Sequence, residues 1–361
     1  MSSTDPLRGQ DEPPLKSTPG VDLDAVANWL QRNAPAVAPR APLRAEMLSG
    51  GLSNLTYGLT DGSVRLVLRR PPLGDLLPTA HDMGREFRVM AALAETKVPV
   101  PRMYGLCTDN GVIGAPFLVM EWVQGLVRRD VGDFADMTPQ LARGSAEQLI
   151  EVLSDLHSID VREVGLESHG RPAGYLVRQL RRWRAQLTAS KTRELPELDE
   201  LSQRLEKLTP TQSDGTIVHG DYRYDNVIFA ERTSARIAAL VDWELSTVGD
   251  PLADVGFLLM SWDDKHGPVL EGGVTSNAVG FPTREELAGL YARRSGRAVD
   301  NLDFHIGLAF FKAAVIFEGI HGRHLAGDTV GDGFDGIGDR VLQFAARGLE
   351  ITSHQAKGAT L

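Results

Sequence analysis

Two short apolar runs, Ile217-Val218 and Val227-Ile228-Phe229, enclose the polar stretch His219-Gly220-Asp221-Tyr222-Arg223-Tyr224-Asp225-Asn226. A third run, from Ile237 to Val241, leads straight into Asp242-Trp243-Glu244. Runs this short make brief strands rather than helices. The polar residues must then occupy the loop between strands, with Asp221 and Asn226 five apart in one loop and Asp242 directly after the next strand. Oxygen-bearing side chains therefore meet at strand ends.

At 361 residues, with 42% apolar and 24% charged residues, the chain exceeds what one core commonly holds, and two lobes of an ordinary globular protein are expected. A formal net charge of −10 argues against a surface built to grip nucleic acid, because that affinity comes from clustered Lys and Arg. Cys107 is the only cysteine, so neither an intrachain disulfide nor a multi-Cys zinc site is available. Residues 1–19 lack the apolar core of a secretory signal. The longest apolar run, 306–317, carries Lys312 and falls short of a bilayer span. The expectation is a cytoplasmic protein without nucleic-acid or membrane partners.

Residues 1–20, with Pro6, Pro13, Pro14 and Pro19 among polar neighbours, read as a mobile tail. A first helix at 21–33 has Asp22 or Asp24 as its cap. Strands follow at 45–48, 55–59 and 64–69, joined by the Gly50-Gly51 and Asp61-Gly62 turns in an antiparallel pattern. Gly50 and Gly51, with donors at Ser53 and Asn54, suit close approach to phosphates, although a Gly-Gly turn is more often only a turn.

A helix at 79–96 sets Glu86 against Arg69, either as an ion pair across the sheet or as a surface salt bridge of little worth. Strands at 103–107 and 116–122 complete a small lobe, and 121–125 makes a hinge. Beyond it the pattern is mostly helical: 138–157, opened by Thr138-Pro139, then 172–189, 194–208 interrupted at Pro196, 250–262, 283–295, 302–321 and 338–352. Arg178, Arg181 and Arg182 share a face that is either solvated or a seat for the phosphates of an anionic substrate. His157 reads as a packing or capping residue without chemistry. Asp328, Asp332, Asp335 and Asp339 lack the spacing of a calcium loop and read as turn and cap residues, or as the lining of a substrate mouth.

The central loop suits phosphoryl transfer, where one carboxylate orients an acceptor hydroxyl while a carboxylate and an amide hold Mg²⁺ against nucleotide phosphates. Asp-x4-Asn with a later Asp on the next hairpin is the kinase catalytic-loop spacing. Val218-His219-Gly220-Asp221-x4-Asn226, Val241-Asp242-Trp243-Glu244 and Gly249-Asp250-Pro251-Leu252-Ala253-Asp254 together resemble the aminoglycoside phosphotransferase and choline kinase superfamily, relatives of the protein kinases. Val67-Leu68-Arg69-Arg70-Pro71-Pro72 brings the chain nearest the subgroup that includes kinase domains fused to acyl-CoA dehydrogenases. The fold this implies is α+β and protein-kinase-like, with a small antiparallel-sheet N-lobe at 21–124 and a mostly helical C-lobe at 125–361.

By that resemblance Asp221 is the catalytic base or the residue that orients the acceptor, and Asn226 with Asp242 binds Mg²⁺. Arg69 stands where the family's phosphate-binding lysine sits, paired with Glu86, and strand register decides between Arg69 and Arg70. A guanidinium is a planar fork where lysine is a point charge. Arg223 either stabilises transition-state charge or anchors the loop through Asp225 or Glu244. His219 is structural, and Asp254 ties down the loop backbone. Adenine is expected between the lobes, on the backbone of Glu121, Trp122 and Val123, whose side chains need not be special; Gly50, Gly51, Ser53 and Asn54 face the phosphates.

The implied function is an ATP-dependent phosphotransferase acting on an alcohol hydroxyl of a small molecule, aminoglycoside-like or hydroxyacyl-CoA-like. The alternative is a pseudokinase that binds nucleotide without transfer. A protein kinase is disfavoured, because the short path from Asp242 to Asp250 leaves little platform for a peptide.

Overall fold

A computed structural model of the chain describes residues 18–49, 54–73, 82–129, 131–211, 215–262, 280–327, 334 and 336–358. Most of the expected tail, the residues Gly50, Gly51 and Ser53, and Asp328, Asp332 and Asp335 lie outside the described residues. Two compact units are present: Met1–Phe87 with Arg102–Trp122, and Arg88–Pro101 with Val123–Leu361.

The first unit begins with helix α1 (Leu23–Asn33), where Asp22 is the cap, accepting a hydrogen bond from the Ala25 N–H at 3.0 Å. Strands β1 (Arg44–Ser49), β2 (Leu55–Thr60) and β3 (Arg65–Arg70) follow. Helix α2 (Met83–Leu93) starts in this unit, and β4 (Met103–Cys107), the short α3 (Asn110–Ile113) and β5 (Phe117–Glu121) complete it. The strands form one antiparallel sheet in the order β1-β2-β3-β5-β4.

Period-two alternation sorts the sheet into two faces. Tyr57, Leu59, Leu66, Leu68, Phe117 and Val119 form a buried cluster with Val26, Trp29 and Leu30 of α1. Trp29 meets Phe117 edge-on at 5.1 Å between ring centroids. Arg70 has the parity of Leu66 and Leu68, and its guanidinium donates to the carbonyls of Gly20 and Ile113. Tyr57 donates to the Pro19 carbonyl at 2.7 Å. Pro19 and Gly20, the last residues of the expected tail, are thus tied to the sheet.

Val67 and Arg69 point to the opposite face. The pairings Val67 with Gly58 and Met120, and Arg69 with Thr56 and Leu118, set this register.

In the second unit, α4 (Pro139–Ser158) has Thr138 as N-cap, accepting from the Leu141 N–H, with proline in the first turn. Helices α5 (Tyr175–Ser190) and α6 (Pro196–Leu208) follow. Pro196 opens α6 instead of interrupting it, because a first-turn residue needs no intrahelical N–H bond. Then come β6 (Thr216–Val218), β7 (Val227–Phe229), β8 (Ile237–Leu240), β9 (Thr247–Gly249) and α7 (Leu252–Ser261). The unit closes with α8 (Arg284–Ser295), α9 (Leu302–Leu325) and α10 (Ile337–Gly358).

β7 pairs with β8, whereas β6 pairs with β9, a strand too short and irregular to announce itself in the sequence. The 88–101 segment joins this unit, and the Leu240 N–H donates to the Pro99 carbonyl at 2.7 Å.

The 306–317 run belongs to α9, whose 24 residues are long and apolar enough, by length and composition, to cross a bilayer. The run itself is shorter than a span; the helix that contains it is not. Its composition has a cause inside the fold, since α5, α6, α7 and α10 pack against it and bury most of its apolar side chains.

Candidate functional site

Between β6 and β7 the chain turns sharply at Gly220, whose φ of +85° is left-handed. A Cβ there would come within 2.6 Å of the Leu245 carbonyl oxygen, so the loop requires glycine on both counts. Asp254, fully buried in the first turn of α7, accepts the N–H groups of His219 and Gly220, each at 2.7 Å. A carboxylate at a helix N-terminus also meets the favourable end of the helix dipole. This is the tie that the resemblance implied for Asp254.

His219 is enclosed behind the loop. Its Nδ1 accepts from the Asp221 N–H at 3.2 Å, which leaves Nε2 to donate to the Val241 carbonyl at 3.0 Å. These two bonds define a neutral ring with its proton on Nε2.

His157 does more than cap α4. Completely buried, it contacts the Tyr291 hydroxyl through Nδ1 at 2.7 Å and Asp254 Oδ2 through Nε2 at 3.3 Å. Burial holds its pKa below the ordinary imidazole value despite the Asp254 charge.

Asp221 and Asn226 are brought into contact. The Asn226 Nδ2 donates to the Asp221 main-chain carbonyl and to its Oδ2, both at 2.8 Å. Arg223 lies beside them, with Nε 3.4 Å from Asp221 Oδ1 and a terminal nitrogen 3.1 Å from Asp225 Oδ2. Burial by itself raises the Asp221 pKa, but the charges of Arg223 and Lys312, with smaller help from the Asn226 hydrogen bond, hold it below the ordinary carboxylate value. Asp225 goes the other way and is pushed up to about 6, chiefly by burial, with Arg223 opposing and Asp221 adding to the rise. Arg223 therefore anchors the loop through Asp221 and Asp225.

The β7–β8 ladder brings Asp242 alongside. Val227 pairs with Leu240, and the Val241 N–H donates to the Asn226 carbonyl at 2.9 Å, one residue from Asp242. Asp242 takes a left-handed φ of +67°, a conformation Asp tolerates better than most residues. Its charge is felt at Arg223, whose pKa burial lowers and Asp221, Asp225 and Asp242 together raise above its ordinary value.

The donor set suits Mg²⁺. Both hydrogen bonds of the Asn226 amide nitrogen run to acceptors, which fixes Oδ1 as the free-facing acceptor end of that amide. With the Asp242 carboxylate, it offers hard oxygen ligands of the kind Mg²⁺ takes in small number beside phosphates and water. Among the described residues no cluster of His, Cys, Asp and Glu forms a cage made of protein alone.

In the first unit, Arg69 and Glu86 pair at 2.8 Å with side-chain exposures of 7% and 1%. The pair is thus buried and not a surface bridge, and Arg69 is borne out as the partner of Glu86, since Arg70 points to the α1 face. Breaking a buried pair leaves one charge uncompensated. Glu86→Ala is expected to cost about 3–5 kcal/mol in a urea titration, and Arg69→Met/Glu86→Leu to recover much of it. A single-mutant loss below about 1 kcal/mol would instead describe a solvated pair.

Asn54 is buried at the entry to β2. The Glu121 N–H is already bonded to the Arg102 carbonyl at 2.8 Å, and its carboxylate accepts from the Arg102 N–H at 3.1 Å. The Trp122 side chain has a packing role of its own. The Arg65 guanidinium stacks 4.3 Å over its ring, and its indole fills the space over Gly58, where a Cβ would lie 2.6 Å from the ring edge. Val123 opens the second unit.

The basic face of α5 is split. Arg178 donates to the carbonyls of Ala173 and Arg171, closing the turn before its own helix, while Arg181 and Arg182 are exposed.

Lys312, which sequence reasoning passed over, lies at the loop: its ammonium donates to the Gly220 carbonyl. The signal was present as a lone cation in the middle of an apolar helix.

Comparison with known proteins places this arrangement. The profile described as "Phosphotransferase enzyme family" matches residues 44–290. Acyl-CoA dehydrogenase family member 11 of Gallus gallus is 36% identical over 340 residues, covering 92% of this chain and 43% of that protein. Acyl-CoA dehydrogenase family member 10 of Mus musculus is 35% identical over 320 residues, covering 88% and 30%. The chain thus spans less than half the length of these curated relatives.

Among solved structures, a candidate aminoglycoside phosphotransferase from Ralstonia eutropha superposes with a TM-score of 0.77 at 33% identity, covering 92% of this chain and 98% of that one. The aminoglycoside phosphotransferase APH(4)-Ia, in complex with AMP-PNP and hygromycin B, shares the kinase-like fold at a TM-score of 0.57 and 15% identity, covering 91% and 97%. With a five-stranded antiparallel sheet, a helical second unit and this loop between β6 and β7, the chain belongs to the phosphotransferase enzyme family.

Proposed function

We propose that this phosphotransferase moves the γ-phosphate of ATP to an alcohol hydroxyl of a small molecule. The observation that carries the reading is the Asp221 carboxylate, kept in its ionised form by neighbouring cations and aligned by the Asn226 amide in a loop whose backbone Asp254 fixes. An ionised carboxylate held this way can orient a hydroxyl and take its proton as the phosphoryl group arrives.

Asn226 and Asp242 would hold Mg²⁺, which when bound neutralises charge on the phosphates. Arg69, steadied by Glu86, supplies a positive charge for the nucleotide phosphates in place of a lysine. Because the Glu121 N–H is committed within the sheet, the Trp122 and Val123 backbone carries adenine recognition in this reading.

Two acceptor classes compete: aminoglycosides, after which solved neighbours are named, and hydroxyacyl-CoA-like molecules, which the family resemblance implies. Lys312 and Arg182 lie within electrostatic reach of each other, and Lys312 of Asp221. Positive charge beside the catalytic carboxylate repels a polycation and favours an anionic or neutral acceptor.

The test is a coupled ADP assay with MgATP, offering hydroxyacyl-CoA thioesters and kanamycin-like aminoglycosides in parallel. ADP release is expected with the thioesters, abolished by EDTA and by Asp242→Ala. Nucleotide binding with no turnover on any hydroxyl compound would leave the pseudokinase reading in its place.

A further inference from the structure

Lys312 occupies the middle of α9 among Phe310, Phe311, Ala313, Ala314 and Val315, all of them buried. An ammonium in such surroundings is costly unless something compensates for lost water. The compensation comes from three sides. The Gly220 carbonyl accepts a hydrogen bond, the Phe257 ring lies 4.6 Å away and the Trp183 ring 5.7 Å away. Asp221, Asp254 and Glu244 attract the charge, and Arg182 repels it.

The bonded carbonyl belongs to the peptide that joins Gly220 to Asp221. Asp254 holds the preceding N–H groups, and His219 Nδ1 holds the N–H of Asp221. Lys312 on the carbonyl and His219 on the N–H therefore restrain the same planar peptide from its two edges, at a glycine that itself resists rotation little. Losing the Lys312 bond leaves the plane held at one edge only, and rotation about the glycine would swing the Asp221 side chain. Helix α9 thus reaches the loop through the Lys312 ammonium.

We propose that Lys312 is a positioning residue, whose ammonium locks the Gly220–Asp221 peptide plane and so aims the Asp221 carboxylate at the acceptor hydroxyl. The proposal rests on the phosphotransferase reading for its catalytic meaning, but the lock itself can be measured without turnover.

Lys312→Met keeps the length of the side chain and removes charge and donor, and Lys312→Arg keeps both. Lys312 is half-buried, and replacing a charge held inside protein by a hydrophobe of similar volume is often neutral or stabilising. Lys312→Met is therefore expected to hold or raise Tm. Amide exchange in the 219–226 segment should nevertheless quicken by about tenfold, with exchange elsewhere unchanged. Basal MgATP hydrolysis, or transfer once an acceptor is in hand, should fall by roughly 10- to 100-fold in kcat with KM for ATP little changed, the signature of misalignment. Lys312→Arg should restore most of both.

Unchanged exchange in Lys312→Met overturns the proposal. So does a variant that melts early or fails to fold, which assigns Lys312 to stability alone. If the wild-type protein shows no turnover, the phosphotransferase reading fails while the exchange comparison still decides the lock.

Discussion

On the proposed function, Asp221→Asn is expected to lower kcat for phosphoryl transfer by roughly 10²- to 10⁴-fold, the range for loss of a positioned general base. The geometry makes the substitution a clean one. Asn is isosteric, and the Asn226 Nδ2 still finds the main-chain carbonyl of residue 221 and one side-chain oxygen. The loop clamps made by Asp254 act on backbone N–H groups and are untouched. What changes is charge, because Arg223 and Lys312 lose the carboxylate that offsets them. MgATP affinity should stay near wild type while turnover collapses, measured by single-turnover kinetics beside equilibrium nucleotide binding. A folded Asp221→Asn preparation that turns over at the wild-type rate would remove Asp221 from the chemistry.

Asp254→Ala is expected to harm both stability and rate. Its two carboxylate oxygens accept from His219 and Gly220 and contact His157 Nε2, and of these residues Asp254, His219 and His157 are buried. Alanine leaves those donors buried without an acceptor, and each such loss costs about 1–3 kcal/mol. A total of about 3–5 kcal/mol is expected from urea denaturation, comparable to breaking a buried ion pair. Loop misplacement adds a kinetic penalty of roughly 10² in kcat, since ångström-scale errors in a catalytic group have that effect. Asp254→Asn separates the contributions: one oxygen remains, while the new amide N–H₂ opposes a neighbouring donor. A variant that loses less than about 1 kcal/mol would show that water replaces the carboxylate, contrary to its burial.

Much of this molecule was legible in short patterns. Asp-Gly and Gly-Gly turns between alternating runs announced the hairpins, and Thr138-Pro139 announced the start of α4 at the residues where the cap forms. The loop residues Asp221, Asn226 and Asp242 stood out because strand ends force neighbouring polar residues together, and the ladder continues through the Asn226–Val241 hydrogen bond. Less visible was the pairing of β6 with β9, since a three-residue strand carries no periodicity to read. The packing reading of His157 stands, but its partners, like the role of Lys312, could not be read: each is a single polar residue on a helix whose partners lie far away in sequence.

By itself the sequence determined the types and order of elements and the residue kinds needed for phosphoryl transfer, because helical and strand periodicity and loop spacing are local properties of the chain. Only the tertiary structure decided that Arg69 and not Arg70 pairs with Glu86, that the pair is buried, that Arg223 bridges Asp221 and Asp225, and that Lys312 reaches the Gly220 carbonyl. Those outcomes depend on which side chains share a low-dielectric space, and charge interactions take their strength from that space and not from sequence position.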